Sequence, residues 1–147
     1  VLIVVGTAIA KEEAKKLDLS KVKCFMTKKA VKEDACVEYG GGKVYFCCNN
    51  CKGKFEKDNT KFVAMANHQL ALTCQVSQKA CPMSGKALDK KTTIKVSDVD
   101  VAFCCGNCKK AAEAKTGDDQ IDLIFKKEAF EKAFEIAKAE EVKEAAK

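Results

Sequence analysis

Eight of the ten cysteines in this 147-residue chain fall into one spacing that is used twice. Cys24 is followed by Cys47, Cys48 and Cys51, and Cys81 by Cys104, Cys105 and Cys108, so that each set reads C-x22-C-C-x2-C. Thiolates grouped in this way are ligands for a soft metal ion: a closed Zn2+ site takes four in a tetrahedron, and Cu+ accepts two or three. Within each set the last cysteine lies four and three residues after the adjacent pair, spacings that share one face of a helix. The free N–H groups and the dipole at a helix start favour the thiolate there. Adjacent side chains on an extended strand point to opposite faces, so both cysteines of a doubled pair reach one ion only if the chain bends between them. The expected ligands are therefore Cys24, Cys47 and Cys51 in one site and Cys81, Cys104 and Cys108 in the other. Cys48 and Cys105 are either fourth ligands or free thiols.

These sulfurs need a scaffold that carries a distant cysteine to a helix start, and the sequence provides it in duplicate. The block Cys24-Phe25-Met26-Thr27-Lys28-Lys29-Ala30-Val31 aligns with Cys81-Pro82-Met83-Ser84-Gly85-Lys86-Ala87-Leu88 at an offset of 57. The block from Val44 to Lys52 aligns with that from Val101 to Lys109 at the same offset of 57, so the unit recurs without insertion. In the second unit Ile94, Val96, Val99, Val101 and Phe103 alternate with polar residues around Ser97-Asp98, which predicts a β-hairpin. In the first, Val37, Tyr39, Val44 and Phe46 do the same around Gly40-Gly41-Gly42. Each second strand runs straight into its cysteine cluster. After the clusters the period lengthens to that of a helix in KGKFEKD, TKFVAMANHQLAL and KKAAEAK. From about Phe125 to Lys147 an alanine- and lysine-rich segment carries Phe130, Ala133, Phe134 and Ala137 on one face, which predicts a long amphipathic helix that closes the core or forms a homodimer seam.

The expected fold class is thus α+β: two small repeated units of hairpin and helix, at 21–73 and 74–125, between a lead-in at 1–20 and the terminal helix at 126–147. Units below about 70 residues bury too little apolar surface to be robust alone, so they lean on a metal, on disulfides or on each other.

The spacing C-x22-C-x3-C, the segment Cys81-Pro82-Met83-Ser84-Gly85-Lys86 and the aromatic-Cys-x3-Cys-Lys run ending in Phe55 resemble the TRASH and YHS domains. The resemblance covers roughly residues 21 to 66 and 78 to 115. It implies treble-clef-like modules that bind, sense or traffic metals such as zinc or copper, and tandem copies with a doubled cysteine are similar to exported bacterial YHS-like proteins. Two departures stand out. The doubled cysteine replaces a position that is usually not cysteine, and Ala111-Ala112 stand where the first unit has Lys54-Phe55, so the second helix is expected to pack differently.

Other residues carry weaker signals. His68 is the single histidine, on a predicted helix without a companion ligand, and reads better as a surface or core residue than as a functional one. Met26 and Met83 could offer thioethers to Cu+ but fit core filling better. Lys52 and Lys109 follow the CxxC pairs, which excludes covalent haem attachment by CxxCH. Cys36 and Cys74 fall on Thr93 and Leu17 at the repeat offset, so they stand outside the duplication. They suit a disulfide in an exported protein, or Cys74 could join Cys81.

The formal charge is +6, but every one of the 27 basic side chains is lysine, interspersed with 21 acidic residues. Without arginine the bidentate contacts to guanine and phosphate are missing, which argues against nucleic acid. The opening run VLIVVGTAIA is too short to span a membrane. It matches the end of a secretory signal, with Ala8-Ile9-Ala10 as a small-x-small cleavage pattern, or alternatively a buried strand. A periplasmic or secreted protein is the expectation. No Gly-rich phosphate loop, catalytic triad or carboxylate pair is present in the sequence, so the chain reads as non-enzymatic. The expected role is to hold zinc or copper(I) for storage, delivery or sensing. The alternatives are thiol–disulfide exchange at Cys48-Asn49-Asn50-Cys51 and Cys105-Gly106-Asn107-Cys108, or a structural module with fixed zinc that meets a protein partner.

Overall fold

The computed structural model describes residues 18–136. The apolar run at 1–10 and the segment 137–147 lie outside the described residues. The chain runs through β1 (Lys32–Tyr39), β2 (Gly42–Phe46), α1 (Asn49–Lys57), a 3-10 turn (Thr60–Phe62), α2 (Val63–Leu72) and β3 (Val76–Gln78). It continues through β4 (Asp89–Val96), β5 (Val99–Phe103), α3 (Gly106–Glu113), α4 (Gly117–Phe125), α5 (Lys127–Ala133) and β6 (Phe134–Ile136). The strands form three separate antiparallel pairs, β1–β2, β4–β5 and β3–β6, which gives the expected mixture of helix and strand.

The two predicted hairpins pair in matching registers. Tyr39 faces Gly42 and Val37 faces Val44, while Val96 faces Val99 and Ile94 faces Val101. Both turns are two residues long with positive φ at each position: +58° and +87° at Gly40 and Gly41, +44° and +71° at Ser97 and Asp98. This geometry matches the right-handed twist of the flanking strands. Gly42, expected in the turn, instead starts β2. A Cβ there would meet the side-chain ends of Leu70 and Gln75 at 2.8 Å, so a larger residue would have to push those side chains aside. Alternation along β5 sends Val99, Val101 and Phe103 inward, and in β2 Val44 and Phe46 are fully buried.

α2 holds the two hairpins together. It is buried along most of its length, including three consecutive polar residues, Asn67, His68 and Gln69. Each reaches a different element. Asn67 Nδ2 donates to the carbonyl of Phe125 at the end of α4, at 2.8 Å. His68 Nε2 lies 3.0 Å from the carbonyl oxygens of both Val96 and Ser97, at the turn of the second hairpin. Carbonyls only accept, so that nitrogen carries the proton. Gln69 pairs with the backbone of Tyr45 in β2, its Oε1 accepting from the N–H at 2.6 Å and its Nε2 donating to the carbonyl at 3.0 Å. His68 is therefore a packed residue, edge-on to Phe125, and burial holds its imidazole below the usual histidine range despite the two carbonyls and Asp98.

The same side-chain device recurs further along β2 and on β5. Gln75 takes both backbone groups of Lys43 at 2.7 Å, and Gln78 takes those of Ala102 at 2.9 and 2.7 Å. A glutamine amide sets an NH2 donor beside a carbonyl acceptor, so it completes a strand edge as a neighbouring strand would.

The predicted long helix from Phe125 is interrupted. Lys126, extended at φ −56° and ψ 155°, separates α4 from α5, and at Phe134 the chain becomes a strand. The reason is pairing: β6 supplies the partner that β3 lacks, with Val76 opposite Ile136 and Gln78 opposite Phe134. The Ala133 carbonyl also accepts from the N–H groups of Lys79 and Ala80. Of the residues expected on the inward face, Ala133 and Phe134 are buried, Phe130 packs partly buried against the core and its ring stacks on Phe134 at 5.2 Å; Phe125 and Ala129 are buried beside them. No helix among the described residues is long and apolar enough to cross a membrane.

Removing the Gln69 amide leaves a buried N–H and a buried carbonyl of Tyr45 without partners, each loss costing roughly 1 to 3 kcal/mol. Gln69→Ala is therefore expected to lower stability by about 2 to 6 kcal/mol. Gln75→Ala, whose bonds to Lys43 are solvent-exposed, is expected to cost under about 1 kcal/mol because water replaces the amide. Urea unfolding of the two variants side by side checks this, and equal losses would refute the edge-pairing account.

Candidate metal centre

Two groups of three cysteines stand close enough to hold a metal ion. The sulfurs of Cys24, Cys47 and Cys51 lie within 4.8 Å of one another, and so do those of Cys81, Cys104 and Cys108. In each group the first sulfur comes from a tight loop and the others from a strand-to-helix junction.

The loops are built alike. Cys24 N–H donates to the Lys29 carbonyl and its own carbonyl accepts from Lys28 N–H; Cys81 does the same with Lys86 and Gly85. Closing so short a loop needs a left-handed residue, which is Lys28 at φ +60° in the first and Gly85 at φ +71° in the second. The folded loop turns its N–H groups onto the cysteine sulfur.

At the junctions, β2 ends at Phe46 and Cys48 caps α1 with φ −162° and ψ 165°; β5 ends at Phe103 and Cys105 caps α3 with φ −164° and ψ 167°. The bend that a doubled cysteine requires is present. Cys48 Sγ lies 3.7 Å from Cys47 Sγ and 3.8 Å from Cys51 Sγ, and the last two are 3.8 Å apart. These three sulfurs form a nearly equilateral triangle, with Cys24 Sγ within 4.8 Å of two of its corners. In the second cluster Cys104 Sγ lies 3.7 Å from both Cys105 Sγ and Cys108 Sγ.

Protons are unevenly shared within the clusters. Burial raises the Cys24 thiol, but the N–H groups of Cys47, Met26 and Thr27, with the Thr27 hydroxyl, outweigh it and bring the pKa down to about 7. At Cys81 burial is likewise outweighed by the Ser84 hydroxyl and by the N–H groups of Ser84, Cys104 and Met83, again giving about 7. Cys51 is pushed up to about 12 by burial, by the bonds it makes to Cys47 and Cys48, and by the charge on Cys24. Cys108 is pushed up to about 12 in the same way. Cys48 and Cys105 are lowered, first by the N–H groups of Cys51 and Cys108 at the helix starts. Each cluster thus holds thiolate character at some sulfurs and a retained proton at another, so a cation that binds must displace protons.

Two hydroxyls complete the surroundings. Thr27 Oγ1 lies 3.0 Å from Cys47 Sγ and Ser84 Oγ 3.1 Å from Cys104 Sγ. Sequence reasoning did not single them out, although the matched Thr27 and Ser84 in the aligned blocks were the available signal. Met26 and Met83 are partly buried against the core. Cys36 and Cys74 are free thiols, half-buried and exposed respectively, and Cys74 is not in the second group.

Compared with protein-family models, with curated proteins and with solved structures, the chain matches none.

The proton distribution fixes a pH dependence for the reduced protein held in chelator. Between about pH 7 and the ordinary thiol value of about 8.5, Cys24 and Cys81 are ionised when folded but protonated when unfolded, so stability rises with pH. Above the ordinary value the sign reverses, because Cys51 and Cys108 keep protons in the fold that they lose when unfolded. Denaturant titrations with chelator and reductant present are expected to show a maximum near the ordinary thiol value. A flat profile from about pH 7 to 10 would contradict this arrangement.

Proposed function

We propose that the chain is a non-enzymatic metal-binding protein that holds soft ions in two cysteine sites, for storage or delivery rather than catalysis. The observation that carries the reading is the sulfur spacing. Tetrahedral zinc with bonds of about 2.3 Å needs sulfurs about 3.8 Å apart, and the sulfurs of Cys47, Cys48 and Cys51 stand 3.7 to 3.8 Å apart. A disulfide would need them near 2.05 Å. With Cys24 as the fourth ligand, the first site is a set of four thiolates, and Cys81, Cys104, Cys105 and Cys108 form its counterpart. Four available sulfurs favour Zn2+, whereas Cu+ would use two or three of them. The resemblance to tandem TRASH and YHS treble-clef-like modules points the same way, and an exported carrier would suit the signal-like character of residues 1–10.

Reduced protein titrated with Zn2+ is expected to bind two equivalents, read by native mass spectrometry. Substitution with cobalt(II) should give the visible bands of a tetrahedral thiolate complex, and Cys48→Ser should alter about half of that signal, one site of the two. Protein that takes up no metal and carries its cysteines in disulfides would overturn the proposal in favour of thiol redox chemistry.

A further inference from the structure

The two clusters share their sulfur geometry but differ in cover. In the first, Cys24, Cys47 and Cys51 are 0%, 8% and 5% exposed and only Cys48 is half-buried. In the second only Cys81 is buried; Cys104 and Cys108 are half-buried and Cys105 is exposed.

The difference is written in the sequence. The first cluster lies in a core lined by aromatic rings: Phe25 packs edge-on to Phe46 at 5.5 Å and to Phe55 at 6.1 Å, and lies 5.7 Å from Phe62. Phe55 also follows Cys51 by one helical turn, on the same face of α1. At the repeat offset of 57, Phe25, Phe55 and Phe62 are replaced by Pro82, Ala112 and Asp119. Phe46 alone keeps its aromatic counterpart, in Phe103. The second junction has lost most of its apolar cover while keeping every sulfur.

We infer that the second cluster is the exchange site, where an ion passes to or from an external thiolate ligand, while the first holds its ion as a fixed part of the core. This rests on the metal-holding reading above. Ligand exchange at a filled site needs an entering donor to approach the ion before a resident one departs, and an apolar shell that excludes solvent excludes that donor too. Cys105 is the sulfur through which exchange proceeds. An entering thiol gives up its proton and its sulfur binds the ion as the Cys105 sulfur is released, and the Cys105 thiolate takes up a proton in turn. Charge and protons balance, and no oxidant or reductant takes part. The acceptor is therefore a cysteine-bearing peptide or a small thiol chelator rather than a carboxylate surface.

The test uses the full chain loaded with two equivalents of Zn2+ and mixed with excess 4-(2-pyridylazo)resorcinol. Release is expected in two phases of equal amplitude, the faster by about 10- to 100-fold. Quenching with N-ethylmaleimide after the fast phase, followed by peptide mapping, should find label on Cys104, Cys105 and Cys108, and little on Cys47, Cys48 and Cys51. A single phase, or label appearing first on the first cluster, overturns the inference. Failure to load two equivalents overturns the metal-holding reading itself, and this is seen before any exchange is measured.

Discussion

Bringing one sulfur from a loop onto two or three sulfurs at a strand-to-helix junction is the constraint that the rest of this fold serves. Sulfurs 3.7 to 3.8 Å apart tolerate little error, so the chain on either side must be stiff. The two-residue hairpin turns fix the register of β1–β2 and β4–β5 and hence where each second strand ends. The left-handed residue in each loop, Lys28 or Gly85, fixes how Cys24 and Cys81 face that end. A slip of one residue in either hairpin would send the junction sulfurs to the opposite face.

A hairpin and one helix bury too little apolar surface to carry such a site alone, and the two hairpins share one interior. One core runs from Val44, Phe46 and Phe55 through Leu70 to Val101, Phe103, Ile124 and Phe134. Its specificity comes from polar groups. Asn67, His68 and Gln69 point from one helix to three different elements, and no buried side-chain nitrogen or oxygen among the described residues lacks a partner. Such a network rigidifies a core because every member is satisfied, and it becomes a liability if one is lost.

What could be read from the sequence was periodic or duplicated. The hairpins were legible because Val37, Tyr39, Val44 and Phe46 alternate, and because the offset of 57 presents the same pattern twice. Three sulfurs of each cluster were legible from spacing alone. The place of Cys48 and Cys105 was not, because it depends on a bend in a single residue's backbone rather than on any period. The glutamine edges were hidden for a related reason: Gln69 and Tyr45 are 24 residues apart, and nothing local marks the pairing. At the C-terminal end, Ala133 and Phe134 were rightly placed in the core, with Phe130 packed partly buried against it, while the element was misjudged. Local preference favoured one helix, but the unpaired edge of β3 demanded a strand, and a tertiary hydrogen-bond requirement outweighs propensity.

The contacts around the clusters also bear on how an ion would be held. The thiols hydrogen-bond to one another and to Thr27 and Ser84, and α2 ties the hairpins together through Asn67, His68 and Gln69, in contacts that involve no sulfur. These bonds between the hairpins therefore do not run through the sites. An arriving ion exchanges S–H contacts for metal–sulfur bonds within a frame that other bonds hold. Its affinity is the difference between those bonds and the proton arrangement they replace, so it falls as acidity returns protons to the sulfurs. In small zinc modules that unfold when the metal leaves, binding energy and folding energy are the same quantity. Here the amides of Asn67 and Gln69 and the imidazole of His68 join the elements through bonds that no sulfur takes part in.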